Sequence, residues 1–160
     1  LLLLSLFVFF MVRRPPMSPL DRSSAASDVY KSQARTEVLS PSSPAPHVLV
    51  AFNAPSLARF GPTVVKGGTI IYDSSVIADV PAMPAGVKVV GVPLTRIAAD
   101  LGRPVVKNVV AIGALQAATS MFPGATFLAA IRQALKSKCA MIPLNEEAFA
   151  LGQRAVRGDA

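Results

Sequence analysis

Residues 47–75 read HVLVAFNAPSLARFGPTVVKGGTIIYDSS, and this stretch decides the fold class. It opens at residues 47–53 with an apolar run rich in β-forming residues, which predicts a buried strand. Pro55 suits the first turn of a helix, and Gly61, which is followed by proline, predicts where that helix ends. Residues 69–72 (TIIY) predict a second strand. This alternation of strand and helix indicates an α/β domain with a largely parallel or mixed sheet.

The pattern continues downstream with one more strand and then with helices. Residues 87–92 (VKVVGV) predict a third strand, and Thr95 is the expected N-cap of the helix that follows. Residues 108–121 and 125–138 predict two helices, and Asn145 is the expected N-cap of a last one. The helix at 108–121 is apolar nearly all round, so we expect it to be buried or to form an interface. The predicted architecture is a three-layer α/β/α domain.

The composition favours a well-buried domain and excludes several classes of function. Of the 160 residues, 52% are hydrophobic and only 16% are charged, which argues against disorder. The net charge is +7, but the basic residues are dispersed and no aromatic residues alternate with them, so nucleic-acid binding is not expected. Cys139 is the only cysteine, which excludes an internal disulfide and any all-cysteine iron–sulfur or zinc site on this chain alone.

The first 35 residues do not share the pattern of the rest. Residues 1–12 (LLLLSLFVFFMV) are apolar, but as a helix they rise only about 18 Å, too short to cross a membrane. A signal peptide carries its basic residues before the apolar run, whereas here an arginine pair follows it. Residues 13–33 resemble translated sequencing-adapter sequence. We therefore expect residues 1–35 to be a non-native or disordered segment and residues 36–160 to form the domain.

Polar residues at the ends of the predicted strands and before a predicted helix are candidates for cofactor binding or subunit contact. Asn53 ends the first strand, and Asp73, Ser74 and Ser75 end the second, where open α/β sheets collect their ligands. These residues also suit a polar turn that satisfies its own backbone. Asn108 precedes the Ala-rich helix and also suits an N-cap. No catalytic residue and no metal ligand is predicted.

Three other features are rejected as sites. Residues 66–69 (KGGT) place the lysine before the glycines and a strand after them, whereas a phosphate-binding loop needs the opposite order and a helix, so a turn is predicted. His47, the only histidine, has no serine and acid placed to form a triad. Cys139 reads as a small residue at a helix end rather than an activated thiol.

Four blocks in order carry a family resemblance. They are residues 47–60 (HVLVAFNAPSLARF), 66–75 (KGGTIIYDSS), 93–102 with 108–115 (PLTRIAADLG and NVVAIGAL), and 145–152 (NEEAFALG). Together they resemble the later part of the gamma subunit, or gamma domain, of a 2-oxoacid:ferredoxin oxidoreductase.

The resemblance implies a cytoplasmic, multi-subunit enzyme that oxidatively decarboxylates a 2-oxoacid to an acyl-coenzyme A and passes the electrons to ferredoxin. It implies that thiamine diphosphate, Mg and the iron–sulfur clusters lie on partner subunits, alpha and beta with delta as a further candidate, and that this chain binds no cofactor alone. Ferredoxin and coenzyme A are partners through the complex, and neither nucleic acid nor a membrane is one. Pyruvate, 2-oxoglutarate, ketoisovalerate and indolepyruvate remain open as substrates.

The sequence also departs from the family. The opening strand with its G-x-G-G-Q-G turn and a later Gly-Pro-Glu segment with Arg-Gly-Gly are not found, so we expect a domain incomplete at its N-terminus and inactive alone. His47 stands where the family usually has an acidic residue. The small residues of the helix at 108–121, Ala114 among them, allow close approach to another element, so we expect part of this helix to pack on the sheet and part to contact the partner subunits. The alternative is a free-standing nucleotide-binding domain, a dehydrogenase fragment, but that needs a Gly-rich loop where this chain has Asn53-Ala-Pro.

Overall fold

The computed structural model describes residues 45–158, in which three strands and five α-helices follow one another. The strands are β1 (Val48–Ala51), β2 (Thr69–Asp73) and β3 (Lys88–Val92). The helices are α1 (Ala54–Phe60), α2 (Leu94–Asp100), α3 (Lys107–Thr119), α4 (Gly124–Ala134) and α5 (Ile142–Arg157). The predictions about residues 1–35 lie outside the described residues. None of the helices in the described part is long and apolar enough to cross a membrane.

The three strands form one parallel sheet in the order β1–β2–β3. Ala51 of β1 pairs with Tyr72 of β2, which pairs with Gly91 of β3, so the three strands end side by side. The predicted α/β class with a parallel sheet is confirmed. The three predicted strands are all present, and their bounds differ from the prediction by one or two residues at an end.

Successive residues of a strand point to opposite faces of the sheet, and here both faces are apolar and covered by helices. On one side Leu49, Ala51 and Ile70 pack with Leu57 of α1. On the other side Val50, Ile71 and Val92 pack against α2, α3 and α5. This second layer is the larger core, and it places the start of α2 and the start of α3 near the carboxyl ends of the strands.

At the α3–α5 crossing the backbones of the two helices touch. A Cβ atom added to Gly113 of α3 would collide with the carbonyl oxygen of Phe149, and one added to Gly152 of α5 would collide with that of Val110. The glycines therefore let the two backbones touch. Ala114 is completely buried in the same contact region, so the expectation that it meets a partner subunit is wrong. The small residues of α3 serve α5 of the same chain.

Three predicted helix caps are wrong. Thr95, Asn108 and Asn145 all lie inside their helices, which begin at Leu94, Lys107 and Ile142. The Thr95 hydroxyl is drawn to the buried Asp73 carboxylate instead of to a helix amide. The side chain of Asn145 is buried and donates to the carbonyl oxygen of Met141, 2.6 Å away. In each case a tertiary contact or a preceding turn makes the helix begin before the residue that N-cap preference selects.

The helix α4 is attached to α5 at two places and is shorter than predicted. The rings of Phe127 and Phe149 stack with their centroids 5.9 Å apart. Arg132 donates to Glu146 at 2.5 Å, and this hydrogen bond, together with the negative charge of Glu146, raises the pKa of Arg132. The helix ends at Ala134 rather than at residue 138, so the lysines after it lie outside the helix.

Candidate functional site

The carboxyl ends of the three parallel strands lie at one edge of the sheet, the carboxyl edge, and each leads into a helix or a turn. Strand β1 continues into residues 52–53, β2 ends at Asp73 and continues into residues 74–75, and β3 continues into residues 93–95. Open α/β sheets bind their ligands outside this edge. The polar residues predicted from the sequence at the ends of β1 and β2 are therefore placed where the fold collects functional groups.

Asp73 is the centre of this edge. Its side chain is completely buried, yet each carboxylate oxygen has donors. The amide N–H groups of Ser75 and Thr95 donate to Oδ1 at 3.1 and 3.2 Å, and the hydroxyl of Thr95 donates to Oδ2 at 2.5 Å. A buried carboxylate is tolerated only when it is hydrogen-bonded in this way. The carboxylate therefore joins the end of β2 to the first turn of α2.

Lys107, the first residue of α3, brings a positive charge to the same place. Its Nζ lies 3.9 Å from Oδ2 of Asp73 and donates to Oγ1 of Thr95 at 3.4 Å. The same Nζ is 5.1 Å from the centre of the Phe52 ring, which is within reach of a cation–π interaction. The side chain is 30% exposed. One ammonium group thus contacts residues at or just after the ends of all three strands.

Ser74 and Ser75 are exposed at the end of β2. The amide of Ser74 donates to the carbonyl oxygen of Val92 at 3.0 Å. The Ser75 hydroxyl oxygen accepts from the amide of Arg96 at 3.2 Å. These contacts fit the polar-turn reading of the sequence, because they tie β2 to β3 and to α2. A ligand or subunit contact for the two serines stays a prediction.

The two asparagine candidates have different surroundings. Asn53 is the N-cap of α1, where its Oδ1 accepts from the amide of Ser56 at 2.8 Å. Asn108 is the second residue of α3, and its side chain is exposed next to Lys107 in the chain. Asn53 therefore stabilises the start of α1, whereas Asn108 does not cap α3 as the sequence also suggested. A binding role for either residue stays a prediction.

Thr95, Lys107 and Phe52 were not predicted as site residues. The position of Thr95 was derivable, because it is the third residue after β3 and the ends of parallel strands meet at one edge. Lys107 carries no such signal in the sequence. It reaches the site only because α2 and α3 pack on the same face of the sheet.

The remaining functional groups lie elsewhere. The carbonyl oxygen of His47 accepts from the amide of Thr69, the first residue of β2, so this histidine lies at the opposite end of the sheet from Asp73. Cys139 is exposed, with Sγ 3.1 Å from the carbonyl oxygen of Lys136. Within residues 45–158 no three His, Cys, Asp or Glu side chains are grouped so as to hold a metal ion. What the carboxyl edge offers is a partly exposed ammonium group paired with a buried carboxylate, with exposed hydroxyls nearby.

Two curated relatives are similar to part of this chain. The ketoisovalerate oxidoreductase subunit VorA of Methanothermobacter thermautotrophicus is 38% identical over 78 residues, which are 49% of this chain and 16% of that protein. The VorA subunit of Methanothermobacter marburgensis is 34% identical over 107 residues, which are 66% of this chain and 22% of that protein. The aligned part spans about a fifth of the length of these relatives.

Two solved structures share the fold. The gamma subunit of a keto/oxoacid ferredoxin oxidoreductase from Geobacter sulfurreducens superimposes with a TM-score of 0.60 at 24% identity, over 70% of this chain and 64% of that one. The 2-oxoglutarate:ferredoxin oxidoreductase from Magnetococcus marinus, with 2-oxoglutarate, coenzyme A and succinyl-CoA bound, gives a TM-score of 0.63 at 23% identity. The superposition covers 70% of this chain and 20% of that one. At these identities the likeness establishes the fold.

A family profile described as pyruvate ferredoxin/flavodoxin oxidoreductase matches residues 21–155. The match begins upstream of the domain boundary predicted at residue 36, and that boundary stays a prediction. It includes all three strands and the residues of the carboxyl edge. With most of its length inside this match, the chain belongs to the pyruvate ferredoxin/flavodoxin oxidoreductase family.

Proposed function

We propose that this chain is part of the gamma subunit, or gamma domain, of a thiamine-diphosphate-dependent 2-oxoacid:ferredoxin oxidoreductase. The observation that carries the proposal is the family match over residues 21–155, and the fold likeness to a gamma subunit supports the choice of subunit. The complex decarboxylates a 2-oxoacid, transfers the acyl group to coenzyme A and passes two electrons to ferredoxin.

The chain's own contribution is positional. Asp73, the completely buried carboxylate at the carboxyl edge, already accepts three hydrogen bonds and holds α2 to the sheet. We therefore propose that thiamine diphosphate, Mg and the iron–sulfur clusters are held by alpha, beta or delta subunits. The exposed Ser74, Ser75 and Asn108, together with Asn53, are proposed to face a partner subunit or a ligand that the complex holds.

Ketoisovalerate is the first substrate to test, because both curated relatives are named as ketoisovalerate oxidoreductase subunits. Pyruvate, 2-oxoglutarate and indolepyruvate are the comparison substrates. Coenzyme A is the proposed acyl acceptor, which fits the ligands of the Magnetococcus marinus structure. The cytoplasm is the proposed location, as ferredoxin-coupled oxidation implies.

A free-standing dehydrogenase fragment is not supported. A dinucleotide-binding loop after β1 needs glycines that let the backbone approach the pyrophosphate. Here β1 is followed by Phe52 and Asn53, and the helix after them contains a proline at its N-terminus. The family match over residues 21–155 favours an oxidoreductase subunit over a dehydrogenase fragment.

The proposal is tested by co-expressing the chain with the other oxidoreductase subunits encoded at the same locus. Size-exclusion chromatography should place the chain in a complex, and that complex should reduce ferredoxin only when a 2-oxoacid and coenzyme A are both supplied. The purified chain alone should show no such activity. Full activity of a complex that lacks the chain, or a chain that elutes as a stable monomer in the presence of those subunits, would overturn the proposal.

A further inference from the structure

We draw no further inference here: the strongest candidate, the surface along the outer strand β3 and the loop that leads into it, where Val76, Val80 and Val89 are exposed, carries none because nothing in residues 45–158 shows what covers it.

Discussion

The carboxyl edge of the sheet and the α3–α5 crossing depend on different contacts, a buried carboxylate at the edge and backbone against backbone at the crossing. At the edge, the buried Asp73 carboxylate collects donors from Ser75 and Thr95 and faces Lys107. At the crossing, Gly113 and Gly152 bring two helix backbones into direct contact, and beside them the side-chain amide of Gln153 donates to that of Gln116. Hydrogen bonds fix the direction of surface groups, whereas the glycine contact fixes the distance between two helices.

The difference predicts which changes each region tolerates. At the edge, exchanging one polar group for another of the same shape costs part of the hydrogen bonding, because an acceptor oxygen remains for the buried donors. At the crossing, an added atom meets backbone atoms that cannot move away without separating the helices. Changes at the crossing should therefore affect stability, and changes at the edge should affect stability less and surface geometry more.

The largest effect is expected for Gly152→Ala. The new methyl group would collide with the carbonyl oxygen of Val110, so α5 must move from α3, at a cost of about 3 kcal/mol in the free energy of unfolding. Urea denaturation followed by circular dichroism measures this. Gly124→Ala is the matched control, because its Cβ meets a side-chain amide, that of Gln153 at 3.3 Å, rather than backbone atoms, and it should change stability by less than about 1 kcal/mol. Equal stabilities for the two variants would show that the crossing is looser than described.

A smaller loss is expected for Asp73→Asn. The amide keeps one acceptor oxygen for the backbone donors but presents an NH₂ group where Thr95 now donates and Lys107 now lies. Losing a charge-assisted bond and leaving Lys107 uncompensated should cost about 2 kcal/mol in the same urea measurement. Asp79→Asn is the control, because Asp79 is exposed in the loop after β2, and such a change should stay within about 0.5 kcal/mol. A stable Asp73→Asn variant would mean that the edge does not depend on the carboxylate.

At this edge, the sequence predicted those residues whose positions follow from the order of strands along the chain. Parallel strands end at one edge, so the positions of Asp73, Ser74 and Ser75 follow from recognising the strand before them. That Asp73 would be completely buried does not follow, because burial depends on how α2 covers the strand end. Lys107 was missed because its position depends on how α3 packs beside α2 on the sheet.

The crossing was harder to predict. The small residues of α3 were recognised as a surface for close approach, but the sequence does not say which element approaches. Gly152 is the partner, in a helix about forty positions further along the chain, and only the packed structure pairs it with Gly113. Periodicity predicts which face is buried and not what it is buried against. The partner-subunit contact expected at Ala114 was wrong because α5 of the same chain occupies that face.

The smallest effect sharpens the comparison within the edge itself, between two asparagines that the sequence treated alike. Asn53 accepts from the amide of Ser56 and caps α1, whereas Asn108 lies inside α3 with an exposed side chain. Asn53→Ala should therefore lower the free energy of unfolding by about 1 kcal/mol, while Asn108→Ala should change it by less than about 0.5 kcal/mol. Thermal melting of the two variants side by side measures the difference. A loss at Asn108 equal to that at Asn53 would mean that Asn108 has a structural task at the start of α3, and its candidacy as an exposed contact residue would fall.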